Sequence, residues 1–203
     1  MDFLVRKARV TDVGAIYSLL RQLAAEGLLL PRSYSSLYET LQTFYVAESR
    51  EDGGILGAGA LQVSWEDLAE VRSLAVRKAF MGRGVGRAIT SAIEEDARSL
   101  LIRRIFALTY VPGFFFAMGY RQVTLDSLPQ KIWAVCFNCV HYPDCKEIAV
   151  VKDIAPALAA PGPEAAAAAR MEGALPPGGG PGAPVGALAD AVRPGAAHRE
   201  PGT

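Results

Sequence analysis

The spacing of apolar positions changes several times along the chain, and each change marks an element. "FLVRKA" (3–8) reads as a short strand. Val13, Ile16, Leu19, Leu20 and Leu23 then recur at helical spacing, with Thr11 as the expected N-cap and Gly27 as the stop. A second helix is expected over about 33–43. "FYVAE" and "GGILGAGALQVSW" have strand character and are joined by "SREDGG", the turn residues of a hairpin. "LAEVRSLAV" (68–76) is a further strand, followed by a helix over about 84–100. "RRIFALTY" (103–110) reads as strand, "PGFFFAMG" as a short helix, and "YRQVTL" and "CKEIAVV" as closing strands. This order predicts an α/β (α+β) single domain with a mixed, mostly antiparallel sheet flanked by helices.

Composition shifts near Asp153: from Ala155 onward Ala, Gly and Pro dominate, and Phe, Tyr and Trp are absent. Such a segment buries too little apolar surface to offset the ~1 to 2 kcal/mol per residue lost on ordering a backbone. The expected organisation is therefore a working domain at 1–153 and a disordered Ala/Gly/Pro-rich tail at 154–203. Lys plus Arg number 21 and Asp plus Glu number 21, so charge gives no general case for nucleic acid or an anionic membrane as partner. No stretch approaches the ~20 apolar residues of a membrane span, and "MDFLVRKARV" is no signal peptide. Three cysteines cannot all pair within the chain, which fits a reducing compartment. A soluble cytoplasmic protein is expected.

With charge balanced overall, any anion has to be bound locally, and one stretch offers a place. In "AEVRSLAVRKAFMGRGVGRAI" (69–89) a strand runs through a short basic loop into Gly82, Gly84 and Gly86 before a helix begins. Free amides and the positive end of the helix dipole make such a turn a phosphate cradle, with Arg83 and Arg87 adding charge. Period two places Glu70, Arg72, Leu74 and Val76 on one strand face and Val71, Ser73 and Ala75 on the other. Two charges on a mostly apolar face are costly unless something uses or pairs them. The spacing is not the dinucleotide G-x-G-x-x-G, and the G-K-[ST] of a P-loop is absent.

Met81, Gly82, Arg83, Gly84, Val85 and Gly86 resemble instead the acetyl-CoA motif Q/R-x-x-G-x-G/A of the GNAT acetyltransferases, with Met81 where Gln or Arg is usual. "ARVTDVGAIYSLL" and "FFFAMGYRQV" extend the resemblance to the opening and late parts of that domain, across residues 1–153. "LLLPRS", "WEDLAEVRSLAV", "LTYVPGFFFAMGY" and "LPQKIW" are together similar to the short, stand-alone amino-acid N-acetyltransferases of the N-acetylglutamate synthase type. The amino-acid kinase domain that usually accompanies this activity is absent from the chain, consistent with the short class and with loss of the usual arginine-feedback site.

The resemblance implies transfer of acetyl from acetyl-CoA to the α-amino group of L-glutamate, the first step of arginine biosynthesis, by direct attack in a ternary complex. Glu70 is the implied general base, acting through water, against an ion pair with Arg72 as the structural alternative. The amide of Leu74 or Val76 would polarise the thioester carbonyl, and Ala75 and its neighbours would bind the pantetheine arm. Many family members carry a Tyr four residues before the Gly of the late Gly-Phe pair; Phe115 stands there, and Tyr110 is the nearest substitute. Arg32, Arg72 and Lys131 are the candidates for the acceptor's carboxylates, each with a surface or structural charge as alternative.

Val111-Pro112 replaces a basic residue found in larger relatives, so aspartate or leucine also stays open as acceptor. Two other classes compete: an acetyltransferase for a protein or a small amine, and a non-catalytic acetyl-CoA-sensing module. A homodimer is an open alternative. Cys136, Cys139 and Cys145, with His141 between them, are read as three reduced thiols packed in a hairpin, with no metal assigned; a structural zinc site that also uses His141 and a redox switch are the alternatives.

Overall fold

The structure is a computed structural model and describes residues 2–128 and 146–154. Among the described residues, seven strands form one sheet in the order β1-β2-β3-β4-β5-β7-β6. They are β1 (Phe3–Lys7), β2 (Phe44–Ser49), β3 (Ile55–Trp65), β4 (Leu68–Val76), β5 (Arg104–Thr109), β6 (Arg121–Gln122) and β7 (Ile148–Asp153). Of the neighbouring pairs, β4 and β5 run parallel and the rest antiparallel. The helices are α1 (Val13–Ala25), α2 (Tyr34–Glu39), α3 (Val85–Ser99) and α4 (Pro112–Phe116). The expected fold class and nearly all expected elements are therefore present, with ends moved by a few residues.

Each sheet face buries its own core. Val13, Ile16, Leu19, Leu20 and Leu23 of α1 pack with Phe44, Val46, Ala58, Ala60 and Ala75. On the opposite face, Val85, Ile89, Ile93 and Ala97 of α3 pack with Ala69, Val71, Ile105 and Val150. The periodic positions seen in the sequence are the buried ones because each helix has only that stripe to shield from water.

Two local expectations are corrected. Thr11 is not the cap of α1: the chain enters through a 3-10 turn, Val10–Asp12, and the Asp12 carboxylate accepts the Arg9 amide at 2.7 Å. Arg6 selects Asp12 for this role by donating to it at 2.6 Å, an ion pair that holds the Asp12 carboxyl below its usual range. Arg6 also donates to Glu48 of β2 at 2.6 Å, so one guanidinium joins β1, β2 and the start of α1. The second expected helix is interrupted: α2 ends at Glu39, and a separate 3-10 turn, Leu41–Thr43, leads into β2.

A third correction concerns β4. Ala60 stands opposite Arg72 but Ala58 opposite Ala75, so β4 carries one more residue than β3 across this step. The extra residue is accommodated by a bulge at Ser73, whose φ is 53°. A bulge reverses the alternation beyond it. Leu74 and Val76 thus pack with Val71 on the α3 face, while Ala75 joins the α1 face. The strict alternation expected from the sequence holds only as far as Arg72.

Candidate active site

β4 and β5 pair over three residues each, Leu68–Glu70 with Arg104–Phe106. Beyond Glu70 the strands part around the bulge, and a cleft of about 1000 Å³ opens between their ends. Its floor carries Glu70, Arg72 and the bulged stretch through Val76; one wall is Leu108, Tyr110 and Phe114, and the other is the Leu28–Ser33 connection. The Arg77 amide bonds back to Leu56 of β3 at 2.9 Å. Successive amides of a strand point to opposite edges, so the Val76 amide is directed at the open edge, into the gap.

The glycine turn closes one end. Gly84 caps α3 with φ 84°, a left-handed conformation that an L side chain adopts only under strain. Gly86 lies in the first turn, where a Cβ would come within 3.3 Å of the Phe114 ring. The first-turn amides of Val85, Gly86 and Arg87 have no carbonyl partner in the helix and carry the positive end of its dipole. Met81, Gly82 and Gly86 line the cleft together with Leu74, Ala75 and Val76. Arg83 lies over the Phe80 ring, 5.9 Å from its centroid, and Arg87 donates to the Ala117 carbonyl at 3.3 Å, so both cations flank the turn.

The other end is charged. Burial pushes the Glu70 carboxyl up to about 7; the Arg72 and Arg32 charges oppose that shift and the Glu147 charge adds to it. Arg32 is half-buried and fixed: its Nη2 donates to Ser36 Oγ at 2.6 Å and to Thr40 Oγ1 at 3.1 Å, and its guanidinium lies 5.6 Å from the Phe44 ring centroid. Burial, with the nearby Arg72 charge, lowers its pKa. Arg72 makes no hydrogen bond or ion pair with another described residue. Chemically, the arrangement offers a base of near-neutral pKa, two cations that suit carboxylates, and an amide-lined turn for phosphate.

The structure thus brings Glu70, Tyr110, Arg32, Arg72 and the glycine turn into one cleft. Phe115 is buried edge-on to Phe114 and Tyr120 and fixes α4 beside the glycine turn. Lys131 and the group Cys136, Cys139, His141 and Cys145 lie outside the described residues. Sequence reasoning missed Glu147, Phe80, Phe114 and the Ser73 bulge. For Phe114 the signal was the run "PGFFF" facing a glycine helix start; for Glu147 there was none, because it lies about 77 positions from Glu70, counted from their residue numbers.

Residues 40–122 match the family described as Acetyltransferase (GNAT) domain. An uncharacterised N-acetyltransferase of Chlorobaculum tepidum is 37% identical over 153 residues, covering 75% of this chain and 97% of that protein. The chain belongs to the GNAT acetyltransferases. This family transfers acetyl from acetyl-CoA, and the cleft with its glycine turn has the form such a co-substrate requires. An amino-acid acetyltransferase of Mycobacterium tuberculosis is 41% identical over 120 residues, 59% of this chain and 68% of that protein. Among solved structures, N-acetylglutamate synthase of Neisseria gonorrhoeae, complexed with coenzyme A and N-acetyl-glutamate, is similar with a TM-score of 0.67 and 26% identity. That match covers 77% of this chain and 36% of the synthase.

Proposed function

We propose that this GNAT acetyltransferase acetylates the α-amino group of L-glutamate, the first step of arginine biosynthesis, in the cytoplasm. The observation that carries the reading is the convergence of Glu70, Arg32 and Arg72 at one end of a cleft whose other end is the glycine turn. The M. tuberculosis amino-acid acetyltransferase and the gonococcal synthase, both similar to this chain, support it.

Each residue then has a task. The amides of the glycine turn hold the pyrophosphate of acetyl-CoA, and Leu74, Ala75 and Val76 run beside the pantetheine arm. Glu70, through water, takes a proton from the glutamate ammonium; with its carboxyl near 7 it is ionised often enough to do so and basic enough to accept. The freed amine attacks the thioester carbon, forming C–N as the carbonyl oxygen gathers charge against the Val76 or Leu74 amide. C–S then breaks, and the thiolate takes the second amine proton, relayed by Tyr110. Arg72 and Arg32 hold the two carboxylates, with Lys131 as a third cation for the same acceptor.

The deciding experiment is a panel of amino acids with acetyl-CoA and thiol detection. Glutamate should give the highest kcat/KM. Leucine or aspartate in first place would replace glutamate as the acceptor, and CoA release indifferent to any amino acid would remove the reading.

A further inference from the structure

Arg32 and Arg72 share the cleft but are held differently, and the difference bears on how each meets an anion. A guanidinium can grip a carboxylate in bidentate fashion along either of two edges, and in its usual geometry the Nη2 nitrogen belongs to both. In Arg32, Nη2 has two hydrogens and faces three acceptors: Ser36 Oγ at 2.6 Å, Thr40 Oγ1 at 3.1 Å and the Ser36 carbonyl at 3.4 Å. Both edges of the Arg32 fork therefore lose one prong to the protein.

Arg32, Ser36 and Thr40 are spaced four apart, which stacks them along one side of α2 and its flanks. Thr40 Oγ1 is itself tied to the Ser36 carbonyl at 2.7 Å, and the Ser33 side chain caps the Ser36 amide at 3.1 Å. The three side chains form a pedestal with little freedom, and Arg32 and Ser36 both face the cleft. Arg72 keeps both edges available among the described residues.

We propose that Ser36 and Thr40 are positioning residues that hold Arg32 as a single-donor anchor for one acceptor carboxylate, leaving Arg72 as the two-donor anchor for the other. The inference rests on the amino-acid acceptor reading above: the role of Ser36 and Thr40 needs one acceptor carboxylate, and the division of labour between Arg32 and Arg72 needs two. The pedestal fixes where the first carboxylate sits before the acceptor arrives, so its ordering cost falls outside the binding step. A single-donor anchor tolerates an ammonium in place of the guanidinium; a two-donor anchor does not.

The test measures kcat, KM for the best acceptor on the panel and KM for acetyl-CoA in Ser36→Ala/Thr40→Val, in Ser36→Thr/Thr40→Ser, in Arg32→Lys, in Arg72→Lys, in Arg32→Ala, and in Arg32→Ala combined with Ser36→Ala/Thr40→Val. The double substitution should raise acceptor KM about five- to tenfold, with kcat and acetyl-CoA KM within about twofold. In the Arg32→Ala background the same double substitution should have almost no further effect, because the residue it positions is gone. Ser36→Thr and Thr40→Ser, which keep the hydroxyls, should restore acceptor KM. Arg32→Lys should cost less than Arg72→Lys. Equal rises in both KM values, or an undiminished effect in the Arg32→Ala background, would show that Ser36 and Thr40 serve the fold alone and overturn the proposal. Leucine outperforming glutamate in the parent enzyme would remove the glutamate assignment while leaving these ratios to decide the role of Ser36 and Thr40.

Discussion

From Leu74 through the Gly84 turn into α3, the end of the cleft assigned to acetyl-CoA is one continuous run of chain, and its working groups are backbone amides aimed by a bulge and a glycine φ. The end assigned to the acceptor is assembled from Arg32 after α1, Glu70 and Arg72 on β4, and Glu147 before β7. Its working groups are side chains, and each alters the others: Arg72 and Arg32 draw the Glu70 carboxyl down while burial and Glu147 push it up. A site made of backbone tolerates side-chain replacement and fails when the backbone is strained. A site made of coupled side chains does the reverse.

The strongest break in that contrast is expected from Glu70→Gln, which should lower kcat roughly a hundredfold or more while sparing KM for acetyl-CoA. In the parent enzyme, kcat/KM should rise with pH and level off above about 7, and the variant should lose that limb. The stability effect has the opposite sign. Burial raises the Glu70 carboxyl from 4.5 to about 7, so the folded state holds the proton more tightly than the unfolded one. The parent should therefore lose stability as pH climbs from 4.5 to about 7, and Glu70→Gln should melt higher than the parent at pH 8 and no higher at pH 4. A variant that melts lower at both pH values would contradict the burial argument.

Next in size, Arg72→Ala should reduce kcat/KM for glutamate by about thirtyfold or more, the effect of removing one partner of a buried charge pair. Steady-state kinetics with glutamate and leucine side by side would show whether Arg72 reads the side-chain carboxylate or the one common to all amino acids. An equal loss for both substrates assigns it to the common carboxylate.

A smaller effect of opposite selectivity is expected at the glycine turn. Gly84→Ala forces an L side chain to φ 84°, and Gly86→Leu meets Phe114. Either should raise KM for acetyl-CoA about tenfold, equivalent to ~1.4 kcal/mol, and leave acceptor KM nearly unchanged. Equal rises in both would mean general misfolding. The smallest effect belongs to neither end: removing everything after Pro156 should leave melting temperature and turnover almost unchanged, since that segment has no aromatic residue to bury. A fall of several degrees would move the domain boundary beyond residue 153.

How much of this was legible beforehand follows the same division. The helical stripe from Val13 to Leu23, the SREDGG hairpin and the glycine turn are all local patterns, and a local pattern acts through neighbours in sequence. Chain sequence alone therefore determined the element order, the sheet-and-helix class and the position of the glycine turn ahead of α3. The Asp12 cap was not legible, because Arg6 on a separate strand selects it. Nor was the Ser73 bulge, whose extra residue is defined only against the pairing of β4 with β3. Tertiary structure alone decided that Leu74 and Val76 leave the face of Glu70, that β4 and β5 part just beyond it, and that Arg32, Arg72 and Glu147 share a cleft with it. Strand registry and the meeting of distant charges depend on which segments lie side by side, and one-dimensional spacing carries no record of that.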